Sequence, residues 1–494
     1  MAFNLKISIQ KAKLCFRLFL CLYFSILVSA SFAKEYDSLR APYQAFLNAN
    51  LDKTLDLLEN QDLNYLDYYL KSLTVSASLF LQFNEDLYKE NRKSEDELID
   101  ALDQFSFSDA ELNFIKSEIK LQWALLKLKN GDEFAAFWSL KQAYSLSKEN
   151  VKKHPDFIPS YKTLGLLHVM YGAVPDRYDW ILSLFGLEGD IEKGLSELEI
   201  VQGQSDFLAL ESSIVTSLLQ AYLLNDPASG VILLQEHTNW GSNLMVDYAW
   251  VLLLMKNHDG KGADAIMEHA LQRYSIPIAI PHFYYLLGEL KLQRGEYDKA
   301  LEYYQTFLSM HKGDNQVKDA YYKSGVCNLM LQQEDHASIN FEKAKSLGKA
   351  KNEADKHAQM ALESENKPNV ELLKLRYATD GGFYEQAKQV AAEIDTTDFS
   401  KHDQVEFLYR QARLFHHSQD TALALRMYDQ TIKQQKEKTW YFAPNAALQA
   451  SLIYAKQQEF EKARTTLAII DQYSGYPYQS SIRQKAKTAR KKLP

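Results

Sequence analysis

The chain has 494 residues, 46% of them hydrophobic, with a formal charge of -8 and a mean hydropathy of -0.35. These values fit a soluble globular protein and exclude sequence-independent nucleic-acid binding, which needs an excess of Lys and Arg to displace counterions. With only 19 Gly and 11 Pro, many tight β-turns are excluded too, and helix is the default.

Residues 1–33 read as an export signal. Lys6, Lys11, Lys13 and Arg17 form a basic opening, and Leu18 to Val28 is a short apolar core. Ser31-Phe32-Ala33 supplies small residues for cleavage before Lys34. The rival reading is an uncleaved anchor, but the apolar run is short for a span. Cys21 sits inside that run without a lipidation context. Cleavage removes four positive and no negative charges, taking -8 to -12, and leaves Cys327 as the sole thiol of the mature chain. Stability must then come from packing, with Cys327 a small core residue. The expected location is exported: periplasmic or envelope-associated in a bacterium, otherwise secreted. No later stretch is long and apolar enough for a transmembrane segment.

From Lys34 to about Phe107 the pattern is helical but irregular, with Leu51, Leu55 and Leu58 at helical spacing. Asn84 to Asp103 is charged and expected to cover the solvent side of an end hairpin. Ile119 to Leu146 reads as a helical hairpin turning at Asn130-Gly131-Asp132, and His154-Pro155 and Pro159 then interrupt. In residues 160–199, Tyr161, Leu164 and Gly165 open a helix. Val174-Pro175-Asp176 starts a short aromatic one, whose Trp180, Ile181, Leu182, Leu184 and Phe185 are expected in the core. Phe185 to Asp190 turns into another, with Gly194 and Leu198 on its buried face. Ser205 to Ala270 holds two more hairpins, breaking at Asn225-Asp226-Pro227 and His258-Asp259-Gly260.

The clearest pattern lies between Pro281 and Gly348. Tyr284, Leu287 and Gly288 precede Ala300, Tyr304 and Phe307; 37 residues on, Tyr321, Ser324 and Gly325 precede Ala337, Phe341 and Ala344. The small residues permit a close helix crossing and the aromatics fill the seam, with turns expected at Gly295-Glu296 and Glu334-Asp335. After a charged helical insertion (Lys349 to Lys367), a weaker hairpin turns at Asp380-Gly381-Gly382. The pattern then returns at Ala412/Ala424 and at Ser451/Ala463. Arg483 to Lys492 is a basic, solvated last helix.

These units resemble the tetratricopeptide repeat (TPR), a hairpin of about 34 residues that buries its apolar face only by stacking. The resemblance implies an all-α fold, a TPR-like α-solenoid (a right-handed superhelix of stacked helical hairpins). The organisation expected is a signal peptide at 1–33, an irregular helical-hairpin region at 34–275 and a TPR array at 276–494. More narrowly, Phe185 to Leu195 in the 160–199 stretch resembles the tetratricopeptide repeat protein 39 and inclusion body clearance family, which carries a proline-started apolar helix, a Gly-Phe-x-Gly-Asp-like turn and a Gly-Leu pair. The export signal departs from that family, so shared architecture alone is implied.

A search for chemistry finds no H-E-x-x-H, no G-x-S-x-G, and no complete phosphate loop at Gly260-Lys261-Gly262. The adjacent His416 and His417 diverge on a helix, which disfavours a shared metal; no metal and no cofactor is expected. In stacked TPR hairpins three offsets on the first helix face the concave groove. They yield His282, Tyr285 and Glu289; Asp319, Tyr322 and Val326; and Glu406, Tyr409 and Arg413. Tyrosine at one offset suits recognition, since each ring brings apolar area and a hydroxyl at little entropic cost, although the chain holds 30 tyrosines in all. The expectation is a non-catalytic scaffold binding a protein, a peptide or an envelope component. The alternative is a glycan-binding protein of an outer-membrane uptake system.

Overall fold

The computed structural model describes residues 37–494 except 60–62, 82–84, 175–178, 206, 275–279, 351 and 365–367. The export signal, Pro175-Asp176 and Ile276-Pro277 lie outside the described residues. Among those described, the chain forms 26 α-helices and no strand. The all-α expectation holds.

The helices pair in chain order. α1 (Asp37–Leu47) and α2 (Leu51–Glu59) make the first hairpin, and α3 (Tyr65–Leu81) packs on α6 (Asp109–Lys129), with the short α4 (Glu85–Glu90) and α5 (Ser94–Asp100) between. α6 pairs with α7 (Glu133–Lys153). α8 (Pro159–Gly172) pairs with α10 (Ile191–Gln204) across the short α9 (Asp179–Leu184). Next come α11 (Ala209–Leu218) with α12 (Pro227–His237), and α13 (Leu244–Lys256) with α14 (Gly260–Arg273). The repeats found in the sequence are α15 (Pro281–Gln293) and α16 (Tyr297–Met310), then α17 (Val317–Met330) and α18 (Glu334–Ser346), followed by α19 (Glu353–Leu362). The chain closes with α20 (Val370–Asp380) and α21 (Tyr384–Glu393), α22 (Lys401–His417) and α23 (Thr421–Gln434), α24 (Phe442–Lys456) and α25 (Phe460–Ile469), and the terminal α26 (Gln479–Lys492). Two units divide this array. One comprises the residues through Gly288 with Leu301–Gly325 and Ser338–Leu362; the other comprises Glu289–Ala300, Val326–Ala337 and Glu363–Pro494.

The hairpin turns share one geometry. Among the described residues, the residue at the turn has positive φ in nine of them: Ala49, Gly131, Asn225, His258, Gly295, Gln332, Gly382, Gln419 and Gln458. At Gly295 its N–H donates to the Leu292 carbonyl and the next N–H to that of Lys291. Gln332, Gln419 and Gln458 repeat the pair of bonds, so the carbonyls left bare at the helix end are satisfied by a left-handed cap. The second repeat therefore turns at Gln332, and Glu334-Asp335 form the first turn of α18 where the sequence suggested the break. At the other ends Asp190, Asp226, Asn243, Asp259 and Asp420 accept backbone N–H bonds as N-caps, worth about 1 kcal/mol each.

α8 and α10 cross closely, backbone against backbone. A Cβ added at Gly194 would lie 2.5 Å from the Gly165 carbonyl oxygen, and one at Gly165 would lie 2.7 Å from that of Gly194. Leu164, Leu167, Leu198 and Val201 fill the rest of this seam and are buried. In the two central repeats the glycine faces an aromatic ring. A Cβ at Gly288 would meet Tyr304 at 2.7 Å, and one at Gly325 would meet Phe341 at 2.6 Å. Ala300, Ala337 and Cys327 are buried as expected. The charged Asn84–Asp103 segment departs from its solvent-facing expectation at one point: Glu95 is buried between Lys120 and Lys127.

The α9 segment departs further. Trp180 and Leu184 are 64% and 69% exposed, and Leu182 and Phe185 are half-buried. The core expectation for this stretch is therefore wrong for Trp180 and Leu184. Six residues make less than two helical turns, too short to turn every apolar side chain toward a neighbour. The Ile181 side chain lies outside the described set.

Candidate functional site

Three places in the fold gather the residues that could recognise a ligand. The first is the set of groove offsets. His282, Tyr285, Asp319, Tyr322 and Val326 are buried, Glu289 is half-buried, and so are Glu406 and Arg413, while Tyr409 is buried. Most bond to residues outside the set. The Tyr285 hydroxyl donates to Asp319 Oδ2 at 2.6 Å, and Lys323 lies 2.8 Å from the same oxygen. Gln316 Nε2 lies 2.9 Å from His282 Nε2, and Tyr248 holds the other ring nitrogen. Burial pushes His282 down to about 3, so the ring is neutral. Asp355 on α19 accepts from the Gln316 and Asp319 backbone N–H groups at 2.8 and 3.0 Å, which makes the charged insertion a cap on α17. In the other unit, Asn445 donates to the Tyr409 hydroxyl at 2.7 Å, and the Arg410 guanidinium bridges Glu406 and Tyr441. The offsets are a polar seam between helices more than an open ligand surface.

The second place is a buried ionic cluster that sequence periodicity does not reveal. Lys162 on α8 is 3% exposed, and its ammonium lies 2.9 Å from Glu118, 2.6 Å from Glu211 and 2.8 Å from the Tyr69 hydroxyl. That hydroxyl donates to Glu211 Oε1 at 2.6 Å, and Thr163 bonds Glu118. One cation thus serves two carboxylates. Burial raises Glu211 above the usual glutamate range, the Glu118 charge adds to the rise, and Lys162 opposes it. These residues come from α3, α6, α8 and α11, and they tie four helices together. Their sequence signal is a polar residue on an otherwise apolar helical face.

The third place is exposed. On α7, Phe134 is 68% exposed and Trp138, one helical turn on, 38% exposed. Phe185, at the end of α9, packs edge-on to Phe137 at 4.8 Å and to Trp138 at 6.0 Å between centroids. The Lys141 ammonium stands 4.9 Å from the Trp138 ring and 5.5 Å from that of Phe185. Phe134, Phe137, Trp138 and Phe185 thus form a contiguous aromatic cluster, and the neighbouring segment α9 carries the exposed Trp180 and Leu184; exposed apolar clusters of this sort mark interaction sites.

At the start of α22, His402, Asp403 and Glu406 place three donor atoms within 4.8 Å of one another. The His402 and Glu406 spacing is one helical turn and legible in the sequence. The rings of Trp440 and Phe442 that seat His402 are not. The rings of His416 and His417 do not diverge as expected but stack at 5.7 Å between centroids, His416 also bonding Tyr428 at 3.2 Å and His417 also lying against Tyr384. No described helix is long and apolar enough to cross a membrane.

Helical hairpins in series, crossing at glycine and alanine with aromatic rings in the seam and a left-handed cap at most turns, define a TPR-type repeat protein. The chain belongs to the Iml2/Tetratricopeptide repeat protein 39 family, whose sequence model matches residues 79–353. A comparison with curated proteins finds no match. Among solved structures, similar ones include a Cut9-Hcn1 hetero-tetramer of the APC/C (11% identity, 92% of this chain and 96% of that one, TM-score 0.26). Yeast Tom70 (12%, 92% and 82%, 0.24) and the P58(IPK) TPR domain (14%, 81% and 97%, 0.22) are others.

Proposed function

We propose that this protein is an exported, non-catalytic scaffold that docks a protein or peptide partner. The observation that carries the reading is the aromatic face of Phe134, Trp138 and Phe185, with Trp180 and Leu184 exposed on the helix that leads into Phe185. Large rigid rings at a surface supply apolar area at little entropic cost, which is how interface anchors work. Lys141 at its edge favours a partner with acidic or aromatic groups. Glu289 and Arg413 keep part of their surface and add polar contacts along the repeats. Export rests on the leader-like composition of residues 1–33.

The test is capture from the producing cell's envelope fraction by the chain from Lys34 onward, compared with its Phe134→Ser/Trp138→Ser variant. A defined protein retained by the parent and lost by the variant supports the reading; identical capture by both overturns it. The glycan alternative draws on the exposed Trp138, Trp180 and Trp240, since indole faces stack on sugars. Saturable quenching of tryptophan fluorescence by an oligosaccharide, without any retained protein, would favour it.

A further inference from the structure

We propose that His402, Asp403 and Glu406 form a binding site for a single divalent transition-metal ion of the zinc type, an inference independent of the docking face. All three residues lie at the N-terminal end of α22, where His402 and Glu406 stand one turn apart on the same side of the helix. Each carboxylate has one oxygen held by a residue outside the set, which fixes the other. The Ser400 hydroxyl donates to Asp403 Oδ2 at 2.7 Å, leaving Oδ1 turned to His402. Arg410 donates to Glu406 Oε1 at 2.6 Å, leaving Oε2. Those oxygens lie 3.7 and 3.9 Å from His402 Nδ1, too long for hydrogen bonds. Two ligands on one tetrahedral zinc, each about 2.0–2.1 Å from the metal, are separated by about 3.4 Å. A pivot of a few tenths of an ångström by each carboxylate would bring it to that spacing from the imidazole, and the two carboxylate oxygens, within 4.8 Å of each other, would close toward it on the ion.

The imidazole is also positioned in advance. Trp440 meets its ring edge-on at a centroid distance of 4.9 Å, and Phe442 lies at 5.2 Å on another side. These rings restrict the histidine and shield the site from water on the side of α24, which strengthens a charge interaction there. The three side chains are 15 to 21% exposed, so an ion can enter from solvent and keep water in its remaining positions. The choice of metal follows from the ligands. A nitrogen donor beside two carboxylates suits zinc or a neighbouring transition ion, whereas magnesium and calcium prefer oxygen throughout. Ser400 and Arg410 orient the carboxylates as partners one step out from a metal do. Two carboxylates and one guanidinium leave the cluster with net negative charge before the ion binds.

The experiment is calorimetric titration of the full mature chain with zinc chloride, repeated with magnesium chloride, and parallel thermal unfolding with and without zinc. The expected result is one zinc ion per chain, no comparable heat with magnesium, and a zinc-dependent rise in the unfolding temperature that chelator reverses. His402→Ala and Glu406→Gln should each weaken zinc binding at least about 10-fold, since each removes a ligand where even an orienting partner accounts for that much. His336→Gln, at an exposed histidine of α18, should leave it unchanged. Circular dichroism separates a lost site from a lost fold, and Glu406→Gln preserves side-chain volume. No zinc uptake by the folded parent, or uptake that survives both ligand substitutions, overturns the assignment.

Discussion

Replacing Gly194 by alanine tests the close α8–α10 packing most sharply. Alanine in a helix interior is about 1 kcal/mol better than glycine. At Gly194, however, the new methyl would sit 2.5 Å from the Gly165 carbonyl oxygen and 2.7 Å from the Val169 amide nitrogen. Both are backbone atoms, so no side chain can turn away; the helices must separate by most of an ångström. Separation loosens a seam in which Leu164, Leu167, Leu198 and Val201 are buried. Overpacking of this kind costs about 1–3 kcal/mol, and the backbone contact places it at the upper end. The net expectation is destabilisation by about 2 kcal/mol after the helix gain. Gly203, in the same helix, is the internal control, because a Cβ there meets nothing within 4 Å. Gly203→Ala should stabilise by up to about 1 kcal/mol. The unfolded-state gain is common to both variants and cancels in the comparison. Urea unfolding followed by far-ultraviolet circular dichroism should separate their midpoints in opposite directions from the parent. Equal shifts would refute the close-crossing argument.

Lys162→Met should destabilise by about 3–5 kcal/mol at neutral pH, because it strands two buried carboxylates; Glu211→Gln should be far milder, and equal losses in urea unfolding would refute the shared-cation account. Glu211, raised by burial, contributes stability below the ordinary glutamate range that is lost as pH rises through its folded value, so Glu211→Gln should flatten that limb of the stability profile. His282 (about 3), His311 (about 4) and His416 (about 4) are lowered by burial, so their contribution is present above pH 6.5 and lost as pH falls toward those values. Their ring resonances should not titrate between pH 8 and 5.5, and a titration there would contradict the burial. Gln419→Gly should raise the urea midpoint, by about 0.5–1 kcal/mol of stability, since φ is 66° at that cap; a fall would mean that the glutamine side chain matters more than its backbone.

How far the sequence discloses the molecule depends on the kind of interaction. Helix spacing and breakers located the hairpins: Pro159 and Pro227 open α8 and α12, and the Asn225 and His258 turns lie where they were read. Both depend on residues close in sequence. The Gln332, Gln419 and Gln458 turns escaped because glutamine carries no turn signal, although its backbone takes the glycine conformation there. The Lys162 cluster escaped because its members lie up to 142 positions apart, as Tyr69 and Glu211 do. Groove offsets transferred from an idealised repeat identified residues that do meet across helices, as Tyr285 and Asp319 show. They did not disclose that such residues would be covered. Trp180 and Leu184 were misplaced because an apolar side chain is no guide to burial in a helix of six residues.

The central claim is that stacked hairpins present an aromatic face to a protein partner. The direct measurement places a photo-activatable amino acid at position 138 and, for comparison, at exposed Leu452 on α24, then irradiates the protein in the cells that produce it. The account predicts a discrete protein adduct from position 138 that is absent from position 452. The same adduct from both positions, or none from position 138 in folded protein, would contradict it.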